Sequence, residues 1–336
     1  MRVVWRAAAV IAAFSTLLCF GGQVSVPPSY GQPATPRIVL FVQAALQQGD
    51  LAQAAALVAQ YRRLNGDTPE ALEALSWLAR GQLAFGHPDE AQKEADEIER
   101  SATASLATRS LDKEPHLPIA LGAAYEIQAG ILNDQHKKTE AVQLLETQMR
   151  KWHGTSIVSR LQKNLNLLTL QGKPMPPLKE TEWIGAKPVA LTSLRGKVLL
   201  VFFWAHWCAD CKADAPIIAK LAQELGPKGL VVIAPTQRYG YTAEEEHASP
   251  AVETPFIDKV YAHYYAGIPN AGVPLDPGNF ERFGVSTTPT IVLVDRRGIV
   301  RLYHPGAMDE KALRAAIGPL LAAPAQLPQR AAAVTR

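Results

Sequence analysis

The sequence predicts two architectures in succession, an all-α helical-repeat domain and then an α/β domain. Three observations carry this. From Arg37 to Leu170 the chain is rich in Ala, Leu, Gln and Glu, and one turn-plus-helix phrase recurs. A proline cluster, Pro174, Pro176 and Pro177, then ends the helical regime. Beyond it, short apolar runs alternate with helical stretches, the pattern of an α/β domain. With 336 residues, 48% hydrophobic and 19% charged, the chain has the size for two domains and the composition of packed globular protein.

The N-terminus carries Arg2 and Arg6, an apolar stretch from Ala7 to Phe20, Gly21-Gly22, and a polar, Pro-containing segment from Gln23. That is the layout of a secretory signal. The stretch falls short of the roughly 20 apolar residues that a membrane span needs. Residues 1–22 are therefore expected to be a signal peptide, with an anchor through residues 7–22 as the alternative, and 23–36 a flexible segment. The expected location is exported, periplasmic or otherwise extracytoplasmic. Cys19 invites a lipoprotein reading, but Leu18 stands where lipoprotein processing wants a small residue. Removal of the signal leaves Cys208 and Cys211 as the only thiols, too few for a disulfide-stapled scaffold. The formal net charge of +3, with no basic block interleaved with aromatics, excludes nucleic acid as the expected partner.

Residues 37–171 form the helical domain. Gly49-Asp50-Leu51-Ala52-Gln53-Ala54, Gly86-His87-Pro88-Asp89-Glu90-Ala91 and His136-Lys137-Lys138-Thr139-Glu140-Ala141 each read as a turn followed by a helix start, with alanine at one offset. The phrase returns after about 37 and then about 50 residues, the second interval lengthened around Ser101 to Pro118; tetratricopeptide repeats have a period near 34. This resembles three degenerate tetratricopeptide repeats with a closing helix near Ser159 to Leu170. Packed helical hairpins without repeat ancestry are the alternative. A concave surface holding a protein partner or a second protomer is the function such repeats suggest.

Gly172 to Leu178 reads as an extended linker, since consecutive prolines cannot continue a helix. The α/β domain follows over 179–320, with a flexible tail at 321–336. Val198 to Phe203 reads as a buried strand, Ala213 to Leu225 as a helix, and Leu230 to Ala234 as a second strand. Cys208 and Cys211 fall between the first strand and the helix, two residues apart. A thiol at a helix N-terminus meets unpaired N–H groups and the positive end of the dipole, which favour its thiolate. That thiolate attacks a disulfide, and the neighbouring thiol resolves the mixed disulfide without any cofactor. Structural zinc wants four ligands, and two thiols without paired histidines do not supply them, so no metal is expected.

Trp204-Ala205-His206-Trp207-Cys208-Ala209-Asp210-Cys211-Lys212, Pro216, Thr287-Thr288-Pro289-Thr290, the strand Ile291 to Asp295, Gly298, and Ile299 to Tyr303 together resemble the thioredoxin superfamily, most closely the exported TlpA/ResA-type thiol-disulfide oxidoreductases. The resemblance covers Met175 to Pro319. It implies a thioredoxin-like domain, a central mixed sheet flanked by helices, with Cys208 as exposed nucleophile and Cys211 as buried resolving thiol. It makes Pro289 a cis-proline and Trp207, Thr288 and Pro289 the substrate-binding residues. It also implies a disulfide reductase with no cofactor beyond the cysteine pair, acting on disulfide-bearing or thiol-bearing exported proteins and recharged by a membrane thiol electron donor. A thiol peroxidase of the AhpC/TSA type and a non-enzymatic helical-repeat scaffold are the competing readings.

Two departures stand out. Thioredoxin itself carries a buried carboxylate six residues before its first cysteine, where this chain has Phe202, and Asp210 is the nearby acidic residue that remains. Asp210, His206 and Lys212 are thus candidates for tuning thiol pKa. Asp210 would oppose a thiolate, while a protonated His206 or Lys212 would favour it; for His206 a solvated loop position, and for Lys212 an exposed helix position, are the alternatives. The second departure is the long segment from Pro235 to Asn279, expected to carry its own helix and to shape the substrate entrance. Within it, Glu244-Glu245-Glu246-His247 reads as a solvated helix face, and Tyr261-Ala262-His263-Tyr264-Tyr265 as core packing.

Overall fold

A computed structural model describes residues 35–185 and 190–323. The signal or anchor, the flexible segment up to residue 34, and the tail from 324 lie outside the described residues. Two compact units divide between Leu161 and Gln162. No helix among the described residues is long and apolar enough to cross a membrane.

The first unit is three helical hairpins: α1 (Arg37–Gln47) with α2 (Leu51–Asn65), α3 (Pro69–Ala84) with α4 (Pro88–Ser105), and α5 (Leu117–Asp134) with α6 (Lys138–Lys151). The three recurring phrases are three copies of one turn. Each begins in the left-handed region, at Gly49, Gly86 and His136 with φ of 76°, 87° and 62°. Each then closes with a bond from the next residue's N–H to the carbonyl five positions back: Asp50 to Ala45 (2.9 Å), His87 to Gln82 (2.8 Å) and Lys137 to Leu132 (2.8 Å). This is the 6→1 bond of a Schellman cap. The shared alanines Ala54, Ala91 and Ala141 are fully buried, where a larger side chain would hold the paired helices apart.

Helix α7 (Val158–Thr169) begins in the first unit and ends in the second. Its later part packs as a member of the α/β unit. Asn166 donates to the Phe283 carbonyl at 2.9 Å, and Leu170 joins the cluster of Phe203, Phe280 and Phe283. Gly284, at φ 61°, lets this happen, since a Cβ there would fall 2.3 Å from the Lys163 backbone nitrogen. The segment read as a linker is likewise built in. Gly172 N–H and Val300 N–H bond to Val300 and Lys173 carbonyls, Pro174 bridges Ile299, and Leu178 is buried in the same cluster. Its prolines keep it extended, as expected, but extended chain beside an open sheet edge pairs with that edge.

The second unit is a four-stranded mixed sheet of β1 (Val198–Phe203), β2 (Leu230–Ile233), β3 (Thr290–Val294) and β4 (Val300–Pro305), in the order β2-β1-β3-β4. β1 is parallel to β2 and antiparallel to β3, and β3 is antiparallel to β4. All six residues of β1 are buried because both sheet faces are covered: Val198, Leu200 and Phe202 join one core cluster, and Leu199, Val201 and Phe203 the other. A continuous apolar run is what such a central strand requires. Helix α8 (Ala209–Leu225) follows β1, α9 (Pro250–Tyr264) and α10 (Pro277–Phe283) stand between β2 and β3, and α11 (Glu310–Ala322) closes the unit. α11 runs into the expected tail as far as Ala322, with Leu320 and Leu321 packed on the core.

The long segment after β2 does carry its own helix, α9, but the acidic run 244–246 is not part of it. Those residues form an exposed loop, in which the Thr242 hydroxyl accepts the N–H groups of Glu244 and Glu245 and the Glu245 carbonyl turns back to accept the Thr242 N–H at 2.9 Å, opposite to the sense of a helical bond. The aromatic patch ending α9 divides: Tyr265 is fully buried against Trp204, whereas Tyr264 is exposed.

Candidate active site

The site forms at one end of the sheet. Register pairs Phe203 with Thr290 in antiparallel β1 and β3. The loop leaving β1, with Cys208, and the turn entering β3, with Thr288 and Pro289, therefore emerge at the same edge. Trp204 anchors the first of these. It is fully buried, its indole N–H donates to the Ala234 carbonyl at 2.9 Å, and its own carbonyl accepts the Thr236 hydroxyl at 2.9 Å.

Cys208 is the N-cap of α8, so the helix begins four residues earlier than its apolar periodicity suggested. Cys208 and Cys211 are joined in a disulfide. Cys208 Sγ accepts the Cys211 N–H at 3.0 Å, the bond that a capping side chain makes to an unpaired amide. A thiolate at that atom would receive the same bond more strongly, together with the field of the helix terminus. Cys211 is fully buried, and Cys208, expected to be exposed, is itself only 3% exposed. It belongs to the buried apolar cluster that also holds Cys211, Trp204 and Tyr265, and its disulfide ties it to the first of these.

Trp207 stands at the rim, 41% exposed and edge-on to Tyr239 with ring centroids 5.5 Å apart. The Thr288-Pro289 bond is cis. Pro289 is held from behind by the Gly306 N–H on its carbonyl (2.7 Å), and the Thr288 hydroxyl is buried without a partner. Asp210 is exposed on the first turn of α8. Lys212 is half-buried, with its ammonium 5.1 Å from the Tyr264 ring centre, and burial lowers its pKa.

His206 departs from expectation. Instead of a solvated loop position it is buried, 2% exposed, ringed edge-on by Tyr239, Tyr241 and Phe256 at 5.2 to 5.4 Å. Its Nε2 lies 3.3 Å from the buried Glu253 carboxylate, off the line of a hydrogen bond. Burial, with the nearby Lys212 charge adding to it, lowers its pKa to about 4. A neutral ring cannot support a thiolate as a cation. It also ties stability to pH: the unfolded state takes up a proton near pH 6.5 and the folded state only near 4, so stability present above 6.5 is lost as pH falls through that window. Against His206→Phe, the native chain is expected to lose about 2 to 3 kcal/mol between pH 7.5 and 4.5 in denaturant unfolding. A stability gap independent of pH would contradict a buried neutral imidazole.

Asp214 is the acidic group that sequence reasoning missed. It sits three residues beyond Cys211 on α8, hence on the same helix face, and is 6% exposed. Burial raises its pKa to about 6; Asp210 adds to this, against a backbone hydrogen bond from Met308. The i, i+3 spacing from the second cysteine was the available signal. Glu253 offered none, standing far along the chain in the insertion.

The Redoxin family model matches residues 170–317. Thiol:disulfide interchange protein DsbE of Xylella fastidiosa strain 9a5c is 30% identical over 159 residues, spanning 46% of this chain and 70% of the relative. HelX of Rhodobacter capsulatus, a thiol:disulfide interchange protein, is 30% identical over 163 residues, spanning 46% of this chain and 78% of the relative. DsbE of Pseudomonas fluorescens biotype C is 29% identical over 140 residues, 41% of this chain and 68% of the relative. With a thiol pair at a helix cap beside a cis-proline turn, and relatives that share most of their length with it, this chain belongs to the thiol:disulfide interchange proteins of the thioredoxin superfamily and is a thiol-disulfide oxidoreductase.

Proposed function

We propose that the chain is an extracytoplasmic protein-disulfide reductase working through a Cys208/Cys211 cycle. The observation that supports the cycle is the Cys208 Sγ cap on α8, which favours that sulfur in anionic form, while the reductant direction rests on the resemblance to the TlpA/ResA-type proteins. Cys208 thiolate attacks a client disulfide sulfur; one client thiolate leaves and takes a proton, and a mixed disulfide remains. Cys211 then loses its proton and attacks Cys208 Sγ, releasing the second client thiolate. Two electrons have passed to the client, and the enzyme holds the disulfide seen here. The pair carries the electrons itself, with no further cofactor.

Trp207, Thr288 and Pro289 bind the client. The backbone N–H and carbonyl of Thr288 suit strand-like pairing with an extended segment while its disulfide meets Cys208. Asp214, one turn beyond Cys211, accepts the resolving thiol's proton. Export rests on the N-terminal signal pattern, and a membrane thiol donor recharges the pair. The helical unit offers its surface to a protein partner.

Direction is tested by equilibrating the full chain with glutathione buffers. A reduction potential near thioredoxin's, about −270 mV, is expected; one near the −120 mV of a strong periplasmic oxidant would assign the opposite direction.

A further inference from the structure

Glu253 lies in the first turn of α9, inside the insertion, and is 1% exposed. Its two oxygens accept the adjacent N–H groups of Tyr239 and Gly240, the latter at 2.8 Å. A carboxylate this deeply buried is costly unless its oxygens are satisfied, and here they are satisfied by the loop that follows β2. The same carboxylate faces His206 Nε2 at 3.3 Å, two residues before Cys208. Tyr239 completes the connection, edge-on to His206 on one side (5.4 Å) and to Trp207 on the other (5.5 Å).

We propose that Glu253 is a positioning residue that locks the insertion's Tyr239–Tyr241 loop onto the Ala205–Cys208 turn, so that the insertion builds the Trp207–Tyr239 wall against which a protein client rests beside Cys208. Glu253 touches neither sulfur, and its effect is on client binding rather than on thiol chemistry. The proposal rests on the reading of Cys208/Cys211 as a site that reduces protein disulfides.

Glu253→Gln replaces one accepting oxygen by an NH2 group that opposes a backbone N–H. In the full-length chain, amide exchange is expected to quicken about tenfold both in residues 238–241 and in 205–208, the worth of one hydrogen bond to a charged group. KM for insulin as the disulfide client is expected to rise about tenfold while kcat changes less than about twofold. Faster exchange confined to 238–241, no change in exchange, or a kcat loss as large as the KM gain would overturn the proposal. Should Glu253→Gln fail to fold, Tyr239→Leu keeps both amide anchors and removes the ring between His206 and Trp207; it must raise KM likewise, and an unchanged KM overturns the proposal. A native chain without insulin turnover would count against the Cys208/Cys211 reading, and the exchange measurement would still decide whether the two segments are coupled.

Discussion

Cys208→Ser reduces disulfide turnover to background, a loss of at least about a thousandfold, while Cys211→Ser accumulates a covalent mixed disulfide between Cys208 and the client. The asymmetry follows from the geometry. Only Cys208 Sγ sits on the helix cap, where the Cys211 N–H and the helix terminus favour its anion. A serine hydroxyl in its place forms no bond to a client sulfur, and Cys211, fully buried and away from the cap that favours the anion, does not take over the attack. In Cys211→Ser the first step survives and the second has no thiol. Non-reducing gels and mass spectrometry of the full chain with an oxidised client read both outcomes. Full turnover by Cys208→Ser, or trapping by that variant instead of Cys211→Ser, would reverse the assignment.

Asp214→Asn slows release of the second client thiol by about a hundredfold, the usual worth of a positioned general base, and at the same time makes the protein more stable at pH 7. The stability gain has a definite sign. Folding raises the Asp214 pKa from 3.8 to about 6. The folded state therefore holds this proton more firmly than the unfolded state between those values. The resulting stabilisation is complete below 3.8 and lost as pH rises through 6, so at neutral pH the ionised, buried carboxylate is a cost of up to about 3 kcal/mol. An amide of the same shape carries no such cost. A residue that is expensive to keep charged beside a thiol needing deprotonation is the pattern of a tuned proton acceptor. Single-turnover release of client thiol, followed from pH 5 to 8, should show a limb near pH 6 in the native chain and none in Asp214→Asn. Unchanged release with the limb retained would remove Asp214 from the mechanism.

What the sequence disclosed follows the range of the interactions involved. The buried strand Val198–Phe203, the helix-capping place of Cys208 and the cis bond before Pro289 depend on neighbours in the chain or on short motifs, and all were readable. The three helical turns were readable for the same reason, although the left-handed residue is glycine in two of them and His136 in the third. Asp214 was readable in principle, since helical spacing alone puts it on the face of Cys211. His206 was not. Its neutrality comes from burial among Tyr239, Tyr241 and Phe256, which the insertion returns to it from more than thirty positions away. The 244–246 run misled because three glutamates suit a helix face, while the Glu245 carbonyl turns back to the Thr242 N–H, against the direction of helical bonding.

Gly284 has a practical bearing on where the redox module can be cut free. Its missing side chain admits the backbone of Gln162 and Lys163, and Asn166 and Leu170 follow into the same recess. A fragment trimmed at the prolines would bare Phe283 and take Asn166 from its carbonyl, leaving the Tyr303 hydroxyl as the side-chain donor there. The natural unit of excision starts at Gln162, and any genetic shuffling that swaps the module between carriers must take that stretch of helix along.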